Sequence, residues 1–208
     1  MAKVLITSGP TREYLDPVRY LSNASSGRMG SALAEAFLTA GHEVCIVSGP
    51  VEIRYPSACR VHFVTTTEEM LSAASDMFAE CDGVIGAAAP CDFRPAVRAS
   101  DKIAKTGDDL FLRLVETPDI LAALAARKQG RWIVGFALET RDGPVRAMQK
   151  LHRKQCDLIV LNHPAAIHSD TTEITAFTPD GTVLGTFLGS KAEAARRIYR
   201  WVEQRLLH

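Results

Sequence analysis

The residues best equipped for chemistry in this chain are cations, small polar groups and glycines that could surround a multiply charged anion. Thr7–Gly30, TSGPTREYLDPVRYLSNASSGRMG, follows the apolar run Val4-Leu5-Ile6 and leads into a helix. Ser25 or Ser26 can cap that helix, leaving free N–H groups and a positive dipole end beside Gly27 and Gly30, where an anion can approach the backbone. A long rigid connection is the plainer alternative. A second source of charge is Pro144–Gln155, where Arg146, Lys150 and Lys154 recur every fourth residue, with Arg153 beside them and no acidic residue between. Like charges in one helical row cost a few tenths of a kcal/mol, so this is either a solvated face or one that a polyanion rewards. Lys102 and Lys105 stand in a polar stretch with Arg94 and Arg98, either as a solubilising arm or as flexible phosphate contacts. Arg19 could grip a carboxylate or phosphate bidentately, or equally hold Asp16 or Glu13.

Other chemistries find less support. Asn23 in SNASSG stays neutral at every pH, which suits gripping an intermediate rather than abstracting a proton; an Asx turn is its structural alternative. Cys91 has no base near it in sequence and reads as a packing residue. The six histidines show no metal spacing, and His163 and His168 lack further ligands. There is no G-x-S-x-G elbow. No G-x-G-x-x-G follows the first strand, and Ser48-Gly49 stands where an acidic residue would hold a ribose, which weighs against a nicotinamide-dependent oxidoreductase.

The elements that must position these groups follow from periodicity. Lys3–Ser8 reads as a strand. A helix runs over Gly27–Ala40 with Met29, Leu33, Ala36, Phe37 and Ala40 on one face, and Gly41 ends it. His42–Ser48 and Arg60–Thr66 are the next strands. Thr67 caps a helix to about Glu80, with Glu68 and Glu69 in its first turn. Asp82–Ala89 is a strand rich in small residues. Cys91–Asp109 forms an arm or flap, with Leu110–Val115 returning as a strand. Pro118 opens a short helix to about Arg127, followed by the strand Arg131–Leu138, the basic helix Pro144–Gln155 and the strand Asp157–Leu161. Thr172–Thr178 and Thr182–Leu188 form a hairpin around Pro179-Asp180-Gly181, and Ser190 caps a last helix whose apolar face carries Ala194, Ile198, Trp201, Val202 and Leu206. Strands and helices alternating at this pace predict an α/β fold: a doubly wound, mainly parallel Rossmann-like sheet, with the antiparallel hairpin at one edge and a protruding arm. Ligands then sit at the carboxyl ends of the strands, where Ser8, Ala87 and Phe136 begin the connecting segments.

The 208 residues, 47% of them hydrophobic, suit one domain over 1–208. Lys plus Arg equals Asp plus Glu at 24 each, so no global field favours nucleic acid or an anionic membrane. No apolar run is long enough to span a bilayer and no signal-peptide pattern is present. The five cysteines are odd in number and lack C-x-x-C, as expected for free thiols in a reducing, cytoplasmic setting.

GPTREYLDPVRYLSNASSGRMG resembles the opening of bacterial phosphopantothenoylcysteine synthetase, the ligase domain of the coenzyme A biosynthesis bifunctional flavoprotein family. Further matching segments lie at 86–95, 101–105, 117–120, 134–140 and 150–162, in the family's order. The resemblance implies a ligase that joins 4′-phosphopantothenate to L-cysteine through an acyl-cytidylate made from CTP, with Mg²⁺ held by the nucleotide phosphates and no metal ligand assigned to the protein. It places Asn23 and Lys102 as catalytic. Ser25, Gly86, Ala87, Ala88, Asp92, Lys102, Pro118, Asp119, Ile120, Leu121, Phe136, Lys150 and Lys154 are placed around the nucleotide; Arg19, Asn23, Ala88 and Ala89 around the other substrate. Two departures stand out: Ala104 replaces the second lysine of the family's K-x-K-K arm, and Pro90-Cys91 stands where Val-Ala or Val-Ser is usual. The resemblance further implies a homodimer through the arm and sheet edge. In the family a flavin-dependent decarboxylase domain often precedes the ligase; with Met1 two residues before the first strand, that domain is expected to be absent or removed, leaving a separate decarboxylase as a partner. A Rossmann-type oxidoreductase and a non-catalytic nucleotide-binding protein remain the competing readings.

Overall fold

The computed structural model describes residues 1–139, 141–162 and 171–207; His163 and His168 lie outside them. The chain starts with β1 (Lys3–Ser8), whose interior residues Val4, Leu5 and Ile6 are wholly buried. Leu5 faces one hydrophobic cluster and Val4 and Ile6 the other, the period-two alternation of a central strand covered on both sides. A small hairpin follows, β2 (Arg12–Tyr14) with β3 (Tyr20–Ser22), and then α1 (Arg28–Thr39). Next come β4 (Glu43–Ser48), β5 (Arg60–Phe63), α2 (Thr67–Phe78) and β6 (Gly83–Gly86). The arm is pinned at its root by β7 (Phe93–Pro95) against β8 (Leu114–Glu116). Then follow α3 (Ile120–Ala125), β9 (Trp132–Leu138), α4 (Gly143–Arg153) and β10 (Leu158–Asn162), and after them β11 (Thr171–Phe177), β12 (Val183–Ser190) and α5 (Lys191–Leu206).

Eight strands form the main sheet in the order β12-β11-β10-β9-β6-β1-β4-β5. From β5 to β10 neighbours run parallel, and β11 and β12 add the antiparallel edge. The chain winds outward from β1 through β4 to β5, then returns to place β6 on the other side of β1. That reversal opens a crevice between the carboxyl ends of β1 and β6, where α/β sheets bind ligands. Helices α2, α3 and α4 cover one face, packing Met70, Leu124 and Leu151. Helices α1 and α5 cover the other, with Leu33, Phe37, Ile198 and Trp201. No described helix is long and apolar enough to cross a membrane.

Several boundaries differ from the sequence expectations. Neither Ser25 nor Ser26 caps α1. Gly27 does, with φ 73°, a left-handed conformation that glycine adopts at little cost and serine does not. The cap of α2 is Thr66, one residue earlier than expected: its hydroxyl accepts from Glu69 N while the Glu69 carboxylate accepts from Thr66 N. Thr67 is instead buried, its hydroxyl shared with Thr11 Oγ1 at 2.9 Å. The returning arm strand is confined to Leu114–Glu116, since only these residues face β7. The strand expected over Asp82–Ala89 stops at Gly86, where the chain leaves the sheet to form the crevice. The β2–β3 hairpin occupies what the sequence presented as an irregular loop.

Candidate functional site

A cleft of about 1620 Å³ lies over the crevice. Its floor is the carboxyl ends of β1, β6 and β9, represented by Thr7, Gly86–Pro90 and Phe136–Leu138; its walls are the start of α1 and the length of α4.

The α1 wall is fixed by hydroxyls beneath it. Ser8 Oγ donates to the Gly27 carbonyl (3.3 Å) and accepts from Tyr55 Oη (2.8 Å), which also lies 2.8 Å from Ser48 Oγ. The Gly27 carbonyl also accepts from Ser31 N, closing the first turn. A side chain on Gly30 would collide with Ser8 Oγ, so glycine there lets the helix sit directly on β1. The early N–H groups of α1 thus meet the cleft at the positive end of its dipole.

The α4 wall carries the basic row. Arg146 lies 3.7 Å from Glu139, and Lys154 Nζ lies 3.0 Å from Asp119 Oδ1. Lys150, between them, lines the cleft. Burial pushes its ammonium below the ordinary lysine range, and neighbouring Lys154 pushes the same way, against Glu139, Asp119 and Asp92. Arg146 is solvated, at 56% exposure, whereas Lys150 and Lys154 are sheltered, and among the described residues Lys150 lacks a carboxylate in contact. Asp119 has a second duty, accepting from Ala122 N as the cap of α3.

The loop after β6 is held through its backbone. Ala89 N donates to the Gly9 carbonyl, Cys91 N donates to Thr11 Oγ1, and the Cys91 carbonyl accepts from Thr117 Oγ1. Asn23 Nδ2 donates to the carbonyls of Ala89 (3.2 Å) and Pro90 (2.8 Å). Both donors of the amide are thereby directed at the loop, and the residue lines the cleft. Cys91 is buried, and burial raises its thiol above the usual range, so the nucleophilic thiolate is disfavoured. Among the described residues, no three His, Cys, Asp or Glu side chains converge to hold a metal ion.

The cleft gathers Asn23, Ser25, Gly86, Ala87, Ala88, Ala89, Asp92, Pro118, Asp119, Ile120, Leu121, Phe136, Lys150 and Lys154 from the set named by sequence. Arg19 and Lys102 do not line it. The Arg19 guanidinium instead donates to Asp16 Oδ2 (3.2 Å) and to the Ile103 carbonyl of the arm (3.0 Å). Asp16 also accepts from Ile103 N (3.1 Å), so hairpin and arm are clasped together beside the cleft. Arg28, Gln149 and Lys191 line the cleft without having been singled out. Arg28 was signalled by its place directly after the helix-capping glycine; Lys191 reaches the cleft only because the fold returns α5 to this side of the sheet.

Residues 1–206 match the model of the DNA/pantothenate metabolism flavoprotein C-terminal domain. The coenzyme A biosynthesis bifunctional protein CoaBC of Vibrio vulnificus strain YJ016 is 38% identical over 99% of this chain and 53% of its own length. The chain thus spans about half the length of that relative. A crystal structure of the C-terminal domain of a CoaBC bifunctional protein superposes with a TM-score of 0.84 at 35% identity, covering 99% of this chain and 97% of the other. The Cab2 H337A variant in complex with phosphopantothenate-cysteine shares the fold, with a TM-score of 0.76 at 19% identity over 98% of this chain and 86% of its own. Motif order, cleft and near-complete alignment agree: this chain belongs to the DNA/pantothenate metabolism flavoprotein C-terminal domain family.

Proposed function

We propose that this chain is a ligase that joins 4′-phosphopantothenate to L-cysteine in coenzyme A biosynthesis, using CTP. One observation carries the reading: the sheltered Lys150/Lys154 wall of α4 and the N-terminus of α1 border a single cleft at the sheet's reversal point. That is an arrangement for a nucleoside triphosphate. The CoaBC relatives and the phosphopantothenate-cysteine complex of the Cab2 variant support the substrate class.

A carboxylate is a poor electrophile and needs activation before an amine can displace anything from it. In the proposed first step the substrate carboxylate attacks the α-phosphorus of CTP, and the bond to the β-phosphate breaks, expelling pyrophosphate. In the second, the cysteine amine attacks the acyl carbon, CMP leaves, and the amine gives up a proton as the amide forms. Lys150, Lys154 and the α1 N–H groups would neutralise the triphosphate and the departing pyrophosphate. Ser25, Gly86, Ala87, Ala88, Pro118, Ile120, Leu121 and Phe136 would shape the nucleotide pocket, and Asp92 would accept from nucleotide hydroxyls. Asn23 Oδ1 is an acceptor suited to orienting the incoming amine. Mg²⁺ would arrive as counter-ion on the nucleotide phosphates.

Lys102 and Arg19 would then be delivered by a second copy, in a homodimer joined through the arm and sheet edge. In support, the arm exposes Val97 (83%) and Phe111 (90%), apolar side chains that an interface would bury. A single elution volume for one chain at micromolar concentration would overturn that assembly. The ligase reading is tested by pyrophosphate release with 4′-phosphopantothenate, omitting CTP and then cysteine, and replacing CTP by ATP. Release that needs CTP and phosphopantothenate, with a trapped nucleotidylate when cysteine is withheld, is expected; no release with any nucleotide would leave a binding protein.

A further inference from the structure

Behind the cleft, α1 and α5 leave between them a groove of about 800 Å³, bounded also by the segment carrying Ile53 and Arg54. Ala32 and Ala36 from α1 lie at its base, small residues that leave apolar space, and Ala192 from α5 stands exposed at its rim. Around it stand Arg28, Arg54, Arg196 and Arg200, against one lining carboxylate, Glu35. Arg196 and Arg200 are one helical turn apart, a like-charge arrangement that costs stability. Nearby acids are committed elsewhere: Glu193 Oε2 accepts from Ser190 N and Oγ, and Glu203 Oε1 accepts from Tyr199 Oη. Among the described residues Arg54, Arg196 and Arg200 form no salt bridge; Arg196 feels the charge of Glu193 at a distance and Glu35 shares the lining, so the three exposed guanidinium forks outnumber the carboxylates around the groove.

We propose that this groove binds a small phosphorylated molecule with an apolar body, its phosphate held by Arg54, Arg196 and Arg200 and its body seated on the alanines. The volume suits a single small ligand, and arginine forks match phosphate oxygens bidentately. Arg28 lines both the groove and the cleft, so anions on the two sides draw on the same guanidinium. The proposal stands apart from the ligase reading, which concerns the cleft alone.

The test is calorimetric titration of the whole chain with 1-naphthyl phosphate, with 1-naphthol as the phosphate-free control. Saturable binding of the ester and none of the alcohol is expected. Arg196→Ala/Arg200→Ala should weaken binding by about tenfold or more, the loss of charge-assisted hydrogen bonds. Ala192→Trp, which crowds the groove from its rim and keeps the arginines, should weaken it too; Lys150→Met/Lys154→Met, in the cleft, should leave it unchanged. Circular dichroism checks that each variant is folded. Absence of saturable heat, equal binding of naphthol, or loss of binding in the lysine pair but not in the arginine pair would overturn the proposal.

Discussion

Lys150 and Lys154 sit one turn apart on the same helix, yet replacing them should move stability in opposite directions. Lys150 is sheltered, has no carboxylate in contact, and has its ammonium pushed below the ordinary range by burial and by Lys154. For a lysine whose folded pKa is depressed, the charged form opposes folding at neutral pH, and stability rises as pH climbs through the folded pKa towards the unfolded one. Lys150→Met removes that penalty and should stabilise the chain by about 1 kcal/mol, or roughly 2–4 °C in Tm for a chain of this size. Lys154 Nζ pairs with Asp119 at 3.0 Å, and its side chain is only 16% exposed. Lys154→Met strands the carboxylate that caps α3 and should cost about 1 kcal/mol, tempered by the partial exposure of Asp119. Nucleotide binding ranks them the other way. Among the described residues Lys150 has no contact ion pair to give up, Glu139, Asp119 and Asp92 acting only at a distance, so its loss should weaken CTP binding by about 2 kcal/mol, roughly thirtyfold. Lys154 must first give up Asp119, so its loss should cost less. Thermal unfolding without ligand and calorimetric titration with CTP measure the two quantities. A Lys150→Met protein that melts below the parent, or binds CTP more tightly than Lys154→Met does, would refute the reasoning.

Three further outcomes follow from the site. Because a triphosphate stabilises the ammonium form of Lys150, CTP binding at alkaline pH should take up protons; titrations in two buffers of different ionisation enthalpy should give different apparent heats, and equal heats would contradict it. Tyr55→Phe removes the donor to Ser8 that supports the Gly27 turn and should cost about 1 kcal/mol in stability, with weaker CTP binding, read by denaturant unfolding and titration. Burial alone would raise the Asp16 carboxyl, but N–H groups of Val18, Arg19 and Ile103, with the Arg19 charge, hold it below its ordinary range. Its stabilising contribution is therefore present above the unfolded pKa and lost as pH falls through the folded one. Asp16→Asn should free the arm at neutral pH, seen as faster proteolysis within residues 100–113, while the parent chain should show this only in acid.

The winding of the sheet was legible because each parallel strand is a short apolar run and each helix a 3.6-residue pattern. Turn chemistry was less so. Thr66-x-x-Glu69 is a capping-box spelling that identifies the α2 cap; Thr67, with Met70 three residues on, lacks it, and Thr65-x-x-Glu68 is the rival spelling that only the fold eliminates. Gly27 was visible as a glycine, but its left-handed turn depends on Ser8 and Tyr55, which are distant in sequence. The β2–β3 hairpin was hidden because each of its strands is only three residues long, too short to show alternation. In the cleft, the resemblance named residues on both walls, since each motif stays within one local segment. The Lys154–Asp119 pair, the Arg19–Asp16–Ile103 clasp and the arginine groove needed the tertiary fold, because charge patterns do not reveal which distant partner neutralises them.

The loop after β6 is fastened by peptide atoms: carbonyls of residues 89, 90 and 91 and N–H groups of residues 89 and 91 take the bonds, and the N–H that proline lacks at position 90 is not among them. The buried Cys91 thiol adds long contacts to the carbonyls of Thr11 and Leu21, but the main-chain bonds alone can hold the ligand-facing contour when the side chains at 90 and 91 differ. A homologue with Val-Ala and this chain with Pro90-Cys91 can present the same outline, because the mould is cut into the main chain.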